Sequence, residues 1–221
     1  MWPPLTRTLT GSSETVKHEH FPGSRWPPHR PDPHQPIPLA PADPVTDDRY
    51  TDWLAAALLK RRTVVIAGVL DDQTVTRAAA ELMTLDATGS DPINLRLNAY
   101  GGTIQGAFSL IDIIDLLGVP VHATCVGRAE GPAVGVLAAA HRRIAARHAQ
   151  LRLCEPDASL EGTANQLAEQ VHHYQDQIDR FCERLSAATR HSVGEIAADV
   201  RAGRYLDARE AVAYGLIHII G

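Results

Sequence analysis

A strand, a turn and a helix follow one another between Val119 and Ala140, and their junction decides what chemistry this chain can do. Val119 to Val126 reads as a buried strand, Gly127 as a tight turn, and Pro132 as the start of an apolar helix. Many hydrolases use such a junction to lift a serine out of the chain and flank it with backbone N–H donors. Here the junction carries Gly131 and Pro132, and no Ser, Cys or Thr stands between Gly127 and Ala140. Pro132 also has no N–H to offer an oxyanion. The sequence encodes a nucleophile site without its nucleophile.

Two other residues could carry chemistry. Cys154 is the obvious alternative nucleophile, but its neighbour Glu155 would raise a thiol pKa, and no sequence feature supplies an imidazole partner. A small buried packing residue is the competing reading. Glu130 stands just before the junction, where a carboxylate could move protons or simply sit in the favourable field of a helix N-terminus. His122, His141 and His148 fall near strand and helix ends and read as structural. His18, His20, His29 and His34 have no rigid element to space them as ligands, so no metal and no cofactor is expected.

The elements that must position these residues are regular. Arg49 to Lys60 reads as a helix with Asp47 as its N-cap, Thr63 to Ala67 as a β-branched strand, and Asp71 to Leu85 as a helix. Ile93 to Asn98 is a strand, Gly106 to Leu117 a helix, and Pro132 to Ala140 a helix. Arg143 to Ala146 and Leu151 to Cys154 read as short strands. Strand–helix alternation of this kind indicates an α/β fold with right-handed crossovers. Residues 1 to about 45 hold 11 of the 15 prolines and can neither pair nor wind, so 1–46 reads as a disordered tail and 47–221 as one folded domain. A long helix over about 163–189 places Leu167, Val171, Tyr174, Ile178, Phe181, Leu185 and Ala188 at 4-3 spacing. That heptad seam, opposite a strongly polar face, favours a partner helix over packing on its own domain.

Bulk properties exclude several classes. A net charge of −5 and a pI near 6.1 give no electrostatic reason to expect nucleic acid, and Lys60-Arg61-Arg62 is too short a cluster to change that. Cys125, Cys154 and Cys182 are odd in number and widely spaced, which argues against a disulfide framework and for a reducing cytoplasm. No apolar run approaches the ~20 residues of a membrane span, and the N-terminus is too polar and proline-broken for a signal peptide.

Four ordered motifs carry a family resemblance. Ile93-Asn-Leu-Arg-Leu-Asn-Ala-Tyr-Gly-Gly-Thr103 resembles the strand and Ser-Pro-Gly-Gly turn of ClpP, the proteolytic subunit of the ATP-dependent Clp protease. Gly127-Arg-Ala-Glu-Gly-Pro-Ala133 is similar to its Gly-Gln-Ala-Ala-Ser-Met-Gly nucleophile turn, and Leu153-Cys-Glu-Pro156 to its Met-Ile-His-Gln-Pro base segment. Residues 189–199 and 205–217 resemble its closing helix and strand. The likeness runs from about Asp48 to Ile220.

The resemblance implies the ClpP/crotonase-like spiral of β-β-α units, with the long helix as a protruding handle that packs one heptameric ring on another. It places the triad serine at Gly131, the histidine at Cys154 and the acid at Asp199, so the acid alone is kept. One oxyanion donor falls on Pro132 and is lost; the Gly101-Gly102 turn is retained. The paired glycines that let a peptide add as a strand fall on Ala158 and Ser159, and an arginine involved in ring-on-ring contact falls on Ala198. Asp199 without its histidine is expected to cap or pair with Arg201 or Arg204. The implied function is a ClpP-like pseudoprotease, assembling with itself or an active ClpP paralogue in a heptameric or double-ring complex served by an AAA+ unfoldase. Two alternatives follow from the same likeness: a crotonase-like acyl-thioester enzyme using Glu130, and a weakly active Clp-type peptidase.

Overall fold

The structure is a computed structural model and describes residues 48–221. The leading segment with its histidines and the Asp47 cap lie outside the described residues. α1 (Asp48–Lys60) precedes β1 (Thr63–Leu70), α2 (Asp72–Ala87), β2 (Ile93–Gly102), α3 (Ile104–Leu116) and β3 (Val121–Glu130). After the elbow come α4 (Pro132–Ala139), β4 (Arg142–Ala145) and β5 (Gln150–Arg152), then the long α5 (Ala164–Ala188). α6 (Val193–Ala202), β6 (Tyr205–Asp207), α7 (Ala208–Tyr214) and β7 (Ile219–Ile220) complete the fold.

Local chemistry sets the helix ends. Asp71 and Thr103 accept from the N–H groups of Thr74 and Gly106, opening α2 and α3. Ser192 with Glu195 and Asp207 with Glu210 form capping boxes for α6 and α7. Gly203 and Gly215 close those two helices in the left-handed conformation.

The sheet is parallel in the order β1-β2-β3-β4-β7, with β5 added parallel to β3 and β6 antiparallel to β5. This α/β, parallel-dominated arrangement fits the ClpP fold expected from the motifs. One face is core, formed by Val64, Ile66, Leu95, Leu97, Ala123 and Cys125, all fully buried. Burial of this order, at about 25 cal/mol per Å², is the main stabilising term.

β3 departs from the expected strand. It does not stop at Val126 but bends at Gly127 (φ 92°) and continues to Glu130. His122 to Cys125 pairs with β4, whereas Arg128 to Glu130 pairs with β5. Asn98 Oδ1 accepts the Arg128 N–H at 3.2 Å where the register with β2 shifts, so the ladder is bridged by a side chain.

The handle seam also differs from expectation. Ile178, Phe181 and Leu185 are buried in this chain's own core, and Phe181 packs so closely on α4 that a Cβ at Gly135 would clash with its ring. Among the seam residues Val171, in the first half of α5, is 50% exposed. The 4-3 spacing is shared by a partner-facing seam and a domain-facing stripe, and here the C-terminal half is the latter.

One charge sits inside this packing. Arg143, 8% exposed on β4, donates from Nη1 to the Ala138 carbonyl (3.2 Å) and from Nη2 to those of Ala188 (2.8 Å) and Gly215 (3.1 Å). These carbonyls close α4, α5 and α7, so three negative helix ends converge on one guanidinium. Burial, reinforced by Arg184, lowers its pKa, but the dipoles stand in for a counter-ion. Arg143→Met is expected to destabilise the fold by about 2–4 kcal/mol, read as a lower urea midpoint. An unchanged midpoint would show that the convergence contributes nothing.

Candidate functional site

The junction between β3 and α4 is an elbow of unusual backbone. Gly131 has φ 51° and ψ −115°, a conformation strained for any residue with a side chain, and its N–H donates to the Arg152 carbonyl at 2.9 Å. Pro132 is buried at the first turn of α4, where its missing N–H costs the helix nothing. A Cβ built on Gly131 would lie 3.3 Å from Cys154 Sγ and 3.4 Å from the Cys154 carbonyl. Positions 131 and 154 therefore face each other across the pairing of β3 with β5.

The third position is attached to the same place. Leu153 N–H donates to the Arg204 carbonyl (2.8 Å), and Arg204 N–H donates to that of Asp199 (3.1 Å), which ties the end of α6 to the segment bearing Cys154. The Asp199 carboxylate is engaged by Arg204 Nη1 at 3.0 and 3.2 Å and by the Tyr214 hydroxyl at 2.7 Å. The expected pairing is thus with Arg204, and Tyr214 is a partner that sequence reasoning missed. Burial, followed by the hydrogen bond to Asp199, pushes the Tyr214 pKa up, so the phenol stays a donor.

Gly101 and Gly102 end β2 one strand over, with φ values of 65° and 108°. A Cβ at Gly102 would sit 2.6 Å from the Leu70 carbonyl, so only glycine fits there. Tyr100, 38% exposed, lies beneath the Arg128 guanidinium, which is 3.8 Å from its ring centroid. Ala158 and Ser159 lie in an irregular segment, not a strand. With Thr103, Tyr174 and Gln177 they line a cavity of about 320 Å³ against α5. The Tyr174 hydroxyl donates to the Pro156 carbonyl at 2.6 Å and fixes that segment on the handle.

The two alternative chemistries meet different surroundings. Glu130, expected as an exposed residue near a helix start, ends β3 between Arg128 (3.5 Å) and Arg152 (3.9 Å). Cys154 is half-buried, and burial rather than Glu155 raises its thiol pKa; Arg152 opposes the rise, while Glu130 and Asp157 add to it. Burial outweighs the Arg152 guanidinium, so Cys154 is a thiol at neutral pH. His141 accepts the Val121 N–H through Nδ1, a structural role. Among the described residues no cluster of His, Cys, Asp and Glu could hold a metal ion, and no helix is long and apolar enough to cross a membrane.

Comparison with known proteins places the fold in a family. The Clp protease family profile matches residues 46–221. The chain belongs to the Clp protease family. It is 31% identical over 176 residues to the ATP-dependent Clp protease proteolytic subunit 3 of Rhodococcus jostii (strain RHA1), covering 77% of this chain and 86% of that protein. The ATP-dependent Clp protease proteolytic subunit of Carsonella ruddii (strain PV) is 26% identical over 175 residues, covering 78% and 90%. Subunit 1 of Salinibacter ruber (strain DSM 13855 / M31) is 29% identical over 163 residues, covering 72% of this chain and 70% of the relative.

The thiols supply a test of the electrostatics. Iodoacetamide is expected to label Cys154 at pH 7 more slowly than a free cysteine, the rate still rising above pH 9. Cys125 and Cys182, pushed up to about 12 and about 11 by burial, should react only on unfolding. A plateau in Cys154 labelling below pH 8 would contradict the assigned environment.

Proposed function

We propose that this Clp-family chain is a catalytically inactive ClpP-like subunit that assembles with Clp subunits, including a serine-bearing paralogue, and modulates ATP-dependent proteolysis driven by an AAA+ unfoldase. The observation that carries the reading is the elbow: a glycine in a backbone state that disfavours any side chain, facing a protonated thiol, followed by a proline with no N–H. Peptide hydrolysis by this fold needs a hydroxyl to attack, an imidazole to take its proton and two donors for the oxyanion. Gly131, Cys154 and Pro132 stand at three of those positions, and Asp199 is committed to Arg204 and Tyr214. Loss of the nucleophile or the base alone removes most of the rate in serine peptidases, so these losses do not add but overlap.

The acyl-thioester reading gains no support from Glu130. Its carboxylate lies between two guanidiniums, and Pro132 again removes a donor that an enolate oxygen would need. The names of the relatives, all proteolytic subunits, favour a place in a Clp assembly.

The purified chain should hydrolyse no fluorogenic peptide and take no serine-directed fluorophosphonate. Gly131→Ser alone should stay inactive, because it supplies neither base nor second donor. The combination G131S, P132M and C154H should give hydrolysis above background. Turnover or labelling by the wild-type chain, or by G131S alone, would overturn the proposal.

A further inference from the structure

A cavity that shares no residue with the elbow opens where α5 and α7 end and the chain turns towards β7. It encloses about 620 Å³, within the range that holds a small molecule. Buried Arg143 and exposed Arg190 and His218 are its titratable residues. Ala188, Val212, Ala213 and Ile217 supply apolar wall, and no Asp or Glu lines it.

The polar groups of this cavity are donors. Carbonyls of Ala138, Ala188 and Gly215 occupy Nη1 and Nη2 of Arg143, but its Nε–H is buried with no partner. Buried donors are almost always paired, so this one lacks an acceptor that the chain itself does not supply. His218 accepts the Arg143 backbone N–H through Nδ1 at 3.2 Å, which leaves the ring proton on Nε2 as a second donor. Among the described residues Arg190 makes no ion pair and its backbone N–H no hydrogen bond. That nitrogen would lie 3.5 Å from a Cβ on Gly215, so it too stands at the cavity. Burial, then Arg143 and Arg142, hold the His218 pKa below its ordinary value, which marks the local field as positive. Helix C-termini ordinarily repel anions, but the Ala188 and Gly215 carbonyls that would do so here already accept from Arg143.

We propose that this cavity binds a small organic anion, a carboxylate or a phosphate monoester. Its oxyanion lies among Arg190, His218 and the Arg143 Nε–H, and its apolar body lies against Val212, Ala213 and Ile217. The guanidinium fork of Arg190 suits either head group. A cation would meet only donors, and a bare inorganic ion would leave the apolar wall unused. The assignment goes beyond the inactive-subunit reading and holds whether or not the chain turns over peptides.

The test is isothermal titration calorimetry of the full-length chain with benzoate, phenyl phosphate, inorganic phosphate and benzylamine at fixed pH and ionic strength. At least one of the two aromatic anions should bind with a Kd of about 1 mM or tighter, and benzylamine should not bind. Inorganic phosphate should bind at least about tenfold more weakly than that anion, because it makes no apolar contact. Whichever aromatic anion binds tighter identifies the head group. Arg190→Glu and Ala213→Trp, which fills the cavity, should each weaken that binding at least about tenfold, while Arg180→Glu on α5 should not. Residues 190 and 213 are exposed, so the thermal melts of both variants should match that of the wild type. The part played by Arg143 is read by NMR from its Nε–H resonance in the unmutated chain, which should shift with the tighter aromatic anion and not with benzylamine. Absence of binding by both aromatic anions, equal binding of benzylamine or inorganic phosphate, undiminished binding to R190E, or an unmoved Arg143 resonance would each overturn the proposal.

Discussion

Strand β3 pairs with three neighbours, and the arrangement of everything around the elbow depends on how it manages this. Its first half lies between β2 and β4, its second between β2 and β5. A straight strand could not leave β4 for β5, and the change is made at Gly127, where φ is 92° and Asn98 repairs the interrupted ladder. A Cβ at Gly127 would meet that Asn98 oxygen at 2.8 Å, so the bend and its repair require a glycine. The pairing with β5 then brings Cys154 opposite Gly131, and the pairing with β2 sets Gly101 and Gly102 alongside. The same backbone constraint would place a serine, a histidine and two donors in a relative that had them. In this chain the same constraint holds Gly131, Pro132 and Cys154.

The arrangement has a structural rationale. The elbow still feeds α4, whose eight residues are all buried, and α4 still receives Phe181 of α5 at Gly135. Arg143 then ties the ends of α4, α5 and α7 together. Replacing a serine by glycine at a site of positive φ relieves backbone strain, and proline at the next position pre-sets the first helical turn. Glycine and proline at 131 and 132 therefore suit the backbone of this elbow.

Much of this was legible in the residues. The α/β class followed from alternation, and the closeness of positions 131 and 154 is compatible with the ordered motifs. What sequence alone did not reveal depended on partners distant in the chain. Glycine at 127 signals a turn, and only β5 and the Asn98 side chain show that the strand continues. Asp199 suggested an arginine partner, yet Tyr214, fifteen residues on, is an equal one, and nothing in the local pattern marks a tyrosine in an Ala-Tyr-Gly run. Arg143 looked like a basic residue at a strand start, because convergence of three helix ends is a property of tertiary packing. The seam on α5 carried the right residues but not the identity of the surface that buries them.

Native mass spectrometry of the tagged chain, isolated from its own organism after fluorophosphonate treatment, tests the central claim most directly. The account predicts a complex containing a Clp proteolytic paralogue, with the probe adduct on that paralogue and none on this chain. An adduct on this chain, or its recovery free of any Clp subunit, would contradict the account.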